Sequence, residues 1–191
     1  MISLVGLGNP GPRYEATRHN VGFLVVERVA SSWGAPPFRA KFSSRCSLGE
    51  VSGVQVLFLL PQTFMNASGD SVQPALAFHR LTPAELIVVH DELDLPFGEV
   101  RLKVGGGHAG HNGLRSITQR LGSDAYARVR VGIGRPPPSF SGAVADFVLG
   151  TPPPEERARL PEVIARAAEA AEFAIRHGVE RAMNEVNRKK A

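Results

Sequence analysis

One histidine, one aspartate and three asparagines have the types and positions needed to activate water for attack on an acyl group. His19 lies near the start of a predicted helix, and Asp91 follows an apolar run that predicts a buried strand. A neutral imidazole can take a proton from water, and a carboxylate can fix its tautomer and stabilise the imidazolium. Neutral amides suit a developing oxyanion, and the candidates for that role are Asn9, Asn66 and Asn112. Because the sequence lacks a G-x-S-x-G elbow, water is a better candidate nucleophile than serine.

These residues also have ordinary structural explanations. A lone histidine more often makes a structural hydrogen bond, and loop asparagines and aspartates commonly cap turns. A metal site could instead be built from His90, Asp91, His108 and His111. However, H-x-x-H in a glycine loop lacks the helical one-face spacing of H-E-x-x-H. We therefore expect no metal.

The first predicted turn carries three glycines with the G-x-G-x-x-G spacing, Gly6, Gly8 and Gly11. This spacing is typical of a dinucleotide-binding loop, which would favour a nucleotide-dependent oxidoreductase. Pro10 and Pro12 remove two backbone donors that a phosphate would need. We therefore expect a stiff turn that presents Asn9 and leads to His19, and we expect no cofactor.

Composition is that of a soluble globular domain. The chain has 191 residues, enough for one domain with a full core, and 43 % of them are hydrophobic. No apolar run approaches the roughly 20 residues of a membrane span, and the amino-terminal strand lacks the basic flank of a secretory signal. A single cysteine, Cys46, excludes an internal disulfide and fits a reducing compartment. These features predict a cytoplasmic protein.

Positive charge is concentrated in three parts of the chain, although the net charge is only +4. The window 100–135 holds one acidic residue, Asp124, and seven basic residues, Arg101, Lys103, Arg115, Arg120, Arg128, Arg130 and Arg135. Two smaller clusters are Arg39, Lys41 and Arg45, and Arg188, Lys189 and Lys190. Such local excess predicts a surface that binds a polyanion; the alternative is solvated charge on unrelated faces.

Hydrophobic periodicity and turn signals predict alternating strands and helices. The predicted strands cover 2–5, 46–51, 54–60, 85–89, 100–104 and 127–133, and the predicted helices cover 21–33, 71–80, 113–121, 154–177 and 179–188. Thr17 is the expected cap of the first helix, which would place His19 in its first turn. Pro74 is expected near the first turn of its helix.

The alternation predicts an α/β fold, with a twisted, mostly parallel (mixed) central sheet flanked by helices in a single domain over 1–191. In such sheets the site lies at the carboxyl ends of the strands. The polar loops are therefore expected to meet at one rim, and they cover 6–20, 61–69, 90–98 and 105–113. The glycine- and proline-rich segment 136–150 is expected to be a mobile lid, followed by carboxy-terminal helices over 154–191.

Several motifs resemble those of the bacterial peptidyl-tRNA hydrolases, in the order found in that family. They are Val5-Gly-Leu-Gly-Asn-Pro-Gly11, Thr17-Arg-His-Asn-Val-Gly22, Gln62-Thr-Phe-Met-Asn66, His90-Asp-Glu-Leu-Asp94, Lys103-Val-Gly-Gly-Gly-His-Ala-Gly-His-Asn-Gly113, Arg130-Val-Gly-Ile-Gly-Arg135 and Phe147-Val-Leu-Gly150. The resemblance implies a monomeric cytoplasmic hydrolase that binds peptidyl-tRNA through its acceptor arm. Such an enzyme cleaves the ester between the peptide and the 3′ ribose, without metal, cofactor or membrane attachment.

The resemblance also implies residue roles. His19 would be the general base, Asp91 would stabilise its productive form, and Asn9 would help to discriminate N-blocked from free aminoacyl-tRNA. The acceptor end and peptide would be bound by Tyr14, Phe64, Met65, Asn66, His111 and Asn112. Phosphates would be bound by Lys103 and Arg130, with Arg128 as the alternative to Arg130.

One departure from the family pattern is Leu60, where many members have lysine, so any weak tRNA contact there is in doubt. The alternative function is a non-catalytic RNA-binding protein on the same scaffold. The joint presence of His19, Asp91 and the asparagines speaks against it, because a protein that only binds RNA has no need of a base.

Overall fold

The apolar run at the amino terminus forms the central strand of a seven-stranded sheet. The structure, a computed structural model, describes residues 1–188; Lys189 and Lys190 of the predicted basic tail lie outside the described residues. The strands are β1 (Ile2–Gly6), β2 (Arg39–Lys41), β3 (Ser44–Val51), β4 (Val54–Pro61), β5 (Leu86–Glu92), β6 (Val100–Val104) and β7 (Ala127–Gly132). Their order across the sheet is β2-β3-β4-β1-β5-β7-β6.

Strand directions confirm the predicted mostly parallel, mixed sheet. β4, β1, β5 and β7 run parallel to one another. β3 and β6 run antiparallel to their neighbours, and β2 reverses again beside β3. Five of the seven strands therefore point the same way, and their carboxyl ends form one rim.

Helices cover both faces of the sheet. They are α1 (Val21–Ser32), α2 (Ser68–His79), α3 (Asn112–Leu121), α4 (Val144–Val148), α5 (Pro154–His177) and α6 (Val179–Val186). One buried cluster joins α1, α5 and α6 to the face that carries Val89. A second joins α2 and α3 to the face that carries Val88. Successive strand residues point to opposite faces, so both faces are apolar and the central strands are buried runs.

The start of α1 differs from the prediction. Arg18–Asn20 form a separate 3₁₀ turn that contains His19, and Asn20 is the residue before α1. Thr17 does not cap α1, because its hydroxyl donates to the carbonyl of Tyr14 at 2.8 Å. His19 therefore precedes the helix instead of lying in its first turn.

Other elements also differ from those predicted from the sequence. A 3₁₀ turn over Met65–Ala67 runs directly into α2, which begins at Ser68, so Pro74 lies in the second turn and not the first. The short strand β2 and the helix α4 were not predicted. β2 is held by pairing with β3, and α4 has only five residues, too few to show a helical period. Among residues 1–188, no helix is long and apolar enough to cross a membrane.

Candidate active site

One cavity of about 370 Å³ opens at the rim where the parallel strands end. The loop after β1 brings Asn9 and His19 to it, the loop after β4 brings Asn66, and β5 itself brings Asp91. β6 is antiparallel, so the segment that follows it starts at the end of the sheet away from the rim. This segment then returns to the rim, where its residues 108–112 line the cavity. The expectation that the four loops meet is therefore confirmed, with the last one arriving indirectly.

His19 and Asp91 form a buried pair at the centre of this cavity. The Nδ1 of His19 lies 2.8 Å from Oδ1 and 2.9 Å from Oδ2 of Asp91. Burial by itself lowers the pKa of His19, but the charge of Asp91 and the hydrogen bond to it outweigh burial and raise that pKa. In the neutral imidazole, Nδ1–H donates to Asp91, which leaves the Nε2 lone pair able to accept a proton.

His111 is a second histidine on the same carboxylate. Its Nε2 lies 3.0 Å from Oδ1 of Asp91. Its Nδ1 accepts from the backbone N–H groups of Gly113 and Leu114 at the start of α3. Because Nδ1 is an acceptor, the neutral ring carries its proton on Nε2 and donates it to Asp91. Burial by itself raises the pKa of Asp91, but the two histidines together hold it well below its ordinary range.

Asn9 has a defined amide orientation. Its side-chain oxygen accepts from the backbone N–H of Met65 at 2.7 Å, so its NH₂ group is the part left for a ligand. Asn20 fixes the backbone beneath it: the Asn20 side chain accepts from Asn9 N–H at 2.8 Å and donates to Asn9 C=O at 2.9 Å. Asn20 was missed by the role assignments, although it lies inside the motif that contains His19.

The remaining candidates line the same cavity, except Tyr14. Phe64, Met65, Asn66 and Asn112 contribute to its walls. Phe64 is 60 % exposed and Met65 is buried. Tyr14 lies outside the cavity and meets Phe64 edge to face, with ring centroids 6.5 Å apart. An apolar part of the cavity wall comes from the predicted lid, through Val144, Ala145, Val148 and Leu149.

His90 is a buried neighbour without an assigned role. Its Nδ1–H donates to the backbone carbonyl of Asp91 at 2.8 Å, and its ring lies 5.1 Å from that of His111. Burial, followed by the charge of His111, lowers the pKa of His90 to about 3. His90 is therefore neutral at physiological pH, which fits a structural role and not that of a proton acceptor.

The alternative metal site predicted from sequence comprised His90, Asp91, His108 and His111. In the structure, the residues that come together are His19, Asp91 and His111. One donor atom from each lies within 4.8 Å of the others. The protons on His19 Nδ1 and His111 Nε2 point at Asp91 at hydrogen-bond distances. These nitrogens therefore act as donors to the carboxylate and do not offer lone pairs to an ion.

Fewer cations of the basic window 100–135 are available to bind a polyanion than its composition suggested. Acids from outside the window pair with several of its residues, in the pairs Arg101–Glu99, Arg120–Asp70, Arg130–Glu92 and Arg135–Asp94. Arg128 is only 2 % exposed, and its guanidinium donates to the carbonyls of Gly106 and Gly107. Lys103 is exposed on the edge strand. Of the two alternatives for a phosphate contact, the partly exposed Arg130 is better placed than Arg128.

The smaller basic cluster is divided by the sheet. Arg45 pairs with Glu27 of α1 at 2.8 Å. Lys41 lies over the ring of Phe78 of α2, with its Nζ 4.0 Å from the ring centroid. Arg45 and Lys41 therefore contact helices on opposite faces of the sheet.

The glycines of the first turn serve close packing. A Cβ at Gly22 of α1 would collide with backbone atoms of Leu7 and Val89, and one at Gly6 would collide with the carbonyl of Gly22. A Cβ at Gly8 would lie 2.9 Å from the ring of Phe23. α1 can therefore approach the end of β1 closely, and the spacing that suggested a dinucleotide loop has a packing explanation.

Comparisons with known proteins agree on one family. The family model described as Peptidyl-tRNA hydrolase matches residues 3–191. A protein named peptidyl-tRNA hydrolase from Sorangium cellulosum is 54 % identical over 96 % of this chain and 82 % of its own length. One from Geotalea uraniireducens is 50 % identical over 97 % and 96 %. The crystal structure of peptidyl-tRNA hydrolase from Acinetobacter baumannii is 40 % identical, covers 100 % of this chain and 96 % of its own, and has a TM-score of 0.91.

Proposed function

The chain belongs to the peptidyl-tRNA hydrolase family, and on that premise we propose that His19 activates water to cleave the ester between a peptide and the 3′ ribose of tRNA. The observation that carries this proposal is the contact of His19 Nδ1 with Asp91, which leaves Nε2 as the proton acceptor. A positioned base of this kind contributes about 10²–10⁴ in rate.

The reaction needs one proton to move twice. Nε2 of His19 takes a proton from water as the oxygen attacks the ester carbonyl, and Asp91 stabilises the imidazolium that forms. Amide donors of Asn9, Asn66 and Asn112 are candidates to bind the oxyanion, where one donor is worth roughly 3–4 kcal/mol. When the ester C–O bond breaks, the imidazolium returns the proton to the departing 3′ oxygen. Free tRNA and peptide result.

The orientation of Asn9 supports discrimination between N-blocked and free aminoacyl groups. Its amide oxygen is engaged by Met65 N–H, so Asn9 offers only N–H donors. An N-blocked substrate carries an extra carbonyl that can accept from this group. A free aminoacyl ester carries an ammonium, which can only donate and would leave both donors unpaired. The site therefore favours the blocked substrate.

We propose that the acceptor arm of the tRNA binds at the cavity and at the neighbouring part of the sheet that carries Lys103 and Arg130. Phe64, Met65, His111 and Tyr14 would contact the acceptor end and peptide, with the first three on the cavity wall. Lys103 and Arg130 would contact phosphates. The alternative of a non-catalytic RNA-binding protein is disfavoured because the relatives are named as hydrolases. We propose that the protein acts as a cytoplasmic monomer without metal or cofactor.

A hydrolysis assay on N-acetyl-aminoacyl-tRNA and free aminoacyl-tRNA tests the function. The blocked ester should be cleaved faster, equally well with a chelator, while His19→Ala should abolish turnover and keep tRNA affinity nearly unchanged. Near-normal turnover by His19→Ala would remove it as the base. Loss of wild-type activity in the chelator would overturn the metal-independent mechanism, and equal cleavage of both esters would overturn the role of Asn9.

A further inference from the structure

The apolar wall of the cavity is fastened at its back to the residue next to the candidate base. We call residues 144–150 the wall segment; it comprises α4, Leu149 and Gly150. The backbone N–H of Arg18 donates to Gly150 C=O at 3.1 Å. The Nη1 of Arg18 donates to Phe147 C=O at 3.0 Å. The guanidinium carbon lies 4.0 Å from the centre of the Phe147 ring, within range of a cation–π contact.

Arg18 is also tied to the helix that follows the wall segment. Its side chain is only 11 % exposed, and its Nε lies 3.9 Å from the carboxylate of Glu156 in the first turn of α5. Burying a guanidinium costs several kcal/mol unless polar partners compensate it. The planar fork of arginine can serve a carbonyl, a ring face and a carboxylate together, which lysine cannot. Arg18 is therefore a constrained junction between three elements.

This junction is one peptide bond from the base. Arg18 and His19 share the three-residue 3₁₀ turn Arg18–Asn20, so a displacement of Arg18 displaces the backbone of His19. Both contacts of His19 Nδ1 with Asp91 are below 3 Å, and hydrogen bonds weaken steeply when distance or angle departs from such values. Movement of the wall segment therefore reaches the pair that activates water.

We propose that Arg18 is a positioning residue that couples the wall segment to His19, so that the base is aligned with Asp91 only while the wall is in place. An acyl group that fills the cavity presses on Val144, Val148 and Leu149, and Arg18 transmits the position of that wall to the base. Water activation is thereby linked to occupancy of the cavity. The inference rests on the proposed role of His19.

Three substitutions separate the side-chain parts of this contact, while the backbone bond to Gly150 remains in all of them. Arg18→Ala removes the whole guanidinium and stem, Arg18→Met keeps the apolar stem, and Arg18→Lys keeps a charge and N–H donors without the planar fork. Because a misplacement of about 1 Å can cost 10²-fold in rate, we expect Arg18→Met to lower kcat by roughly 10- to 100-fold, with KM changed less than about threefold. Arg18→Lys should recover part of the loss. Arg157→Ala, an exposed arginine of α5, is the matched control and should behave as wild type.

The second measurement is an NMR titration of the His19 ring without substrate. Because Asp91 raises the pKa of His19, loosening the pair in Arg18→Met should lower it. A merely structural role for Arg18 would lower the melting temperature and leave the His19 titration of the folded protein unchanged, which would overturn the proposal. A rise in KM alone, with normal kcat, would also overturn it. The titration needs no turnover, so it can be read even if the wild-type chain shows no hydrolase activity. In that case the proposed function would be refuted, but a lowered His19 pKa in Arg18→Met would still support the coupling.

Discussion

At the scale of single residues, one buried carboxylate organises the site. Asp91 accepts from His19 and from His111, whose tautomers are set by these bonds and by the backbone at the start of α3. Of these two histidines, only His19 keeps a ring nitrogen, Nε2, without such a partner, so His19 is the one of the pair that can accept a proton. His90, one position earlier on β5, points to the other face and is held neutral by burial.

The raised pKa of His19 predicts the acid limit of activity. Only neutral imidazole accepts a proton, so kcat/KM should fall as pH drops through the pKa of His19, with its midpoint above the ordinary value of about 6.5. Asp91→Asn removes the charge that raises this pKa, so the midpoint should move to lower pH and the plateau should drop by roughly 10²-fold or more. Profiles of kcat/KM between pH 5 and 8.5 measure both. An unmoved midpoint in Asp91→Asn would contradict this assignment.

His90 predicts acid sensitivity of the fold. Its pKa is about 3 when folded and about 6.5 when unfolded, so the unfolded chain binds a proton that the folded chain excludes. Stability is therefore lost as pH falls below about 6.5, by roughly 2 kcal/mol at pH 5. His19, with its raised pKa, acts in the opposite direction, stabilising at low pH.

His90→Asn keeps an N–H donor for the carbonyl of Asp91 and removes the titration. Urea unfolding at pH 7.5 and pH 5 should show a smaller pH dependence for this variant than for wild type. His177→Asn, at an exposed histidine of α5, is the control and should retain the wild-type difference. An equal pH dependence in His90→Asn and wild type would show that His90 is not the acid-sensitive group.

At the scale of elements, a buried arginine brings the segment after β6 back to the rim. Because β6 is antiparallel to β7, it ends where the parallel strands begin, at the end of the sheet away from the site; its last residue, Val104, pairs with Ala127, the first residue of β7. Arg128 of β7 donates to Gly107 C=O at 2.7 Å and to Gly106 C=O at 2.6 Å. These bonds direct the glycine loop toward the position where His111 begins α3.

Arg128→Met should release this loop. Two carbonyls lose their donors, and a buried polar group without a partner costs about 1–3 kcal/mol. We expect a lower melting temperature, faster amide hydrogen exchange over 105–111 and reduced kcat. Arg120→Met, at an exposed arginine of α3, is the control and should change exchange at the loop little. Unchanged exchange over 105–111 in Arg128→Met would show that the loop is held by other contacts.

At the scale of the whole molecule, the charge that faces RNA depends on which cations remain unpaired after folding. Glu92 and Asp94, from the loop and strand end beside the site, pair with Arg130 and Arg135. The Arg135–Asp94 pair is exposed, so it is worth little and can open for a phosphate, whereas the Arg130–Glu92 pair is mostly buried. Lys103, on the edge strand β6, is an exposed cation of this surface for which we propose a phosphate contact.

Lys103→Ala should weaken tRNA binding and flatten its salt dependence. Each lost phosphate contact reduces the slope of log K against log salt by about 0.7–0.9. Titrations of tRNA between 50 and 200 mM salt (about a fourfold range, over which the slope is measurable) test this. Arg28→Ala, an exposed arginine of α1, provides the charge-matched control. An equal slope for Lys103→Ala and the control would exclude Lys103 from the footprint.

Local chemistry in the sequence was sufficient to predict the class of fold and which side chains meet at the candidate site. Apolar runs followed by polar loops predict parallel strands that end at one rim, and therefore the meeting of Asn9, His19, Asn66 and Asp91. Helical spacing, composition and turn signals predicted α1, α2, α3, α5 and α6 within about three residues. The period could not reveal β2 or α4, because elements of three and five residues are too short to repeat.

Only the tertiary structure shows which partners orient those side chains. The bonds of His111 to Asp91 and to the start of α3 fix its tautomer, the bond from Met65 orients Asn9, and Arg128 is buried against the glycine loop. These partners are mostly separated by twenty or more positions in the chain, whereas sequence patterns report neighbours within a few residues. Pairing of the charges could not be predicted for the same reason. The sequence shows that cations are dense in the window 100–135, but acids from outside the window decide which of them remain unpaired.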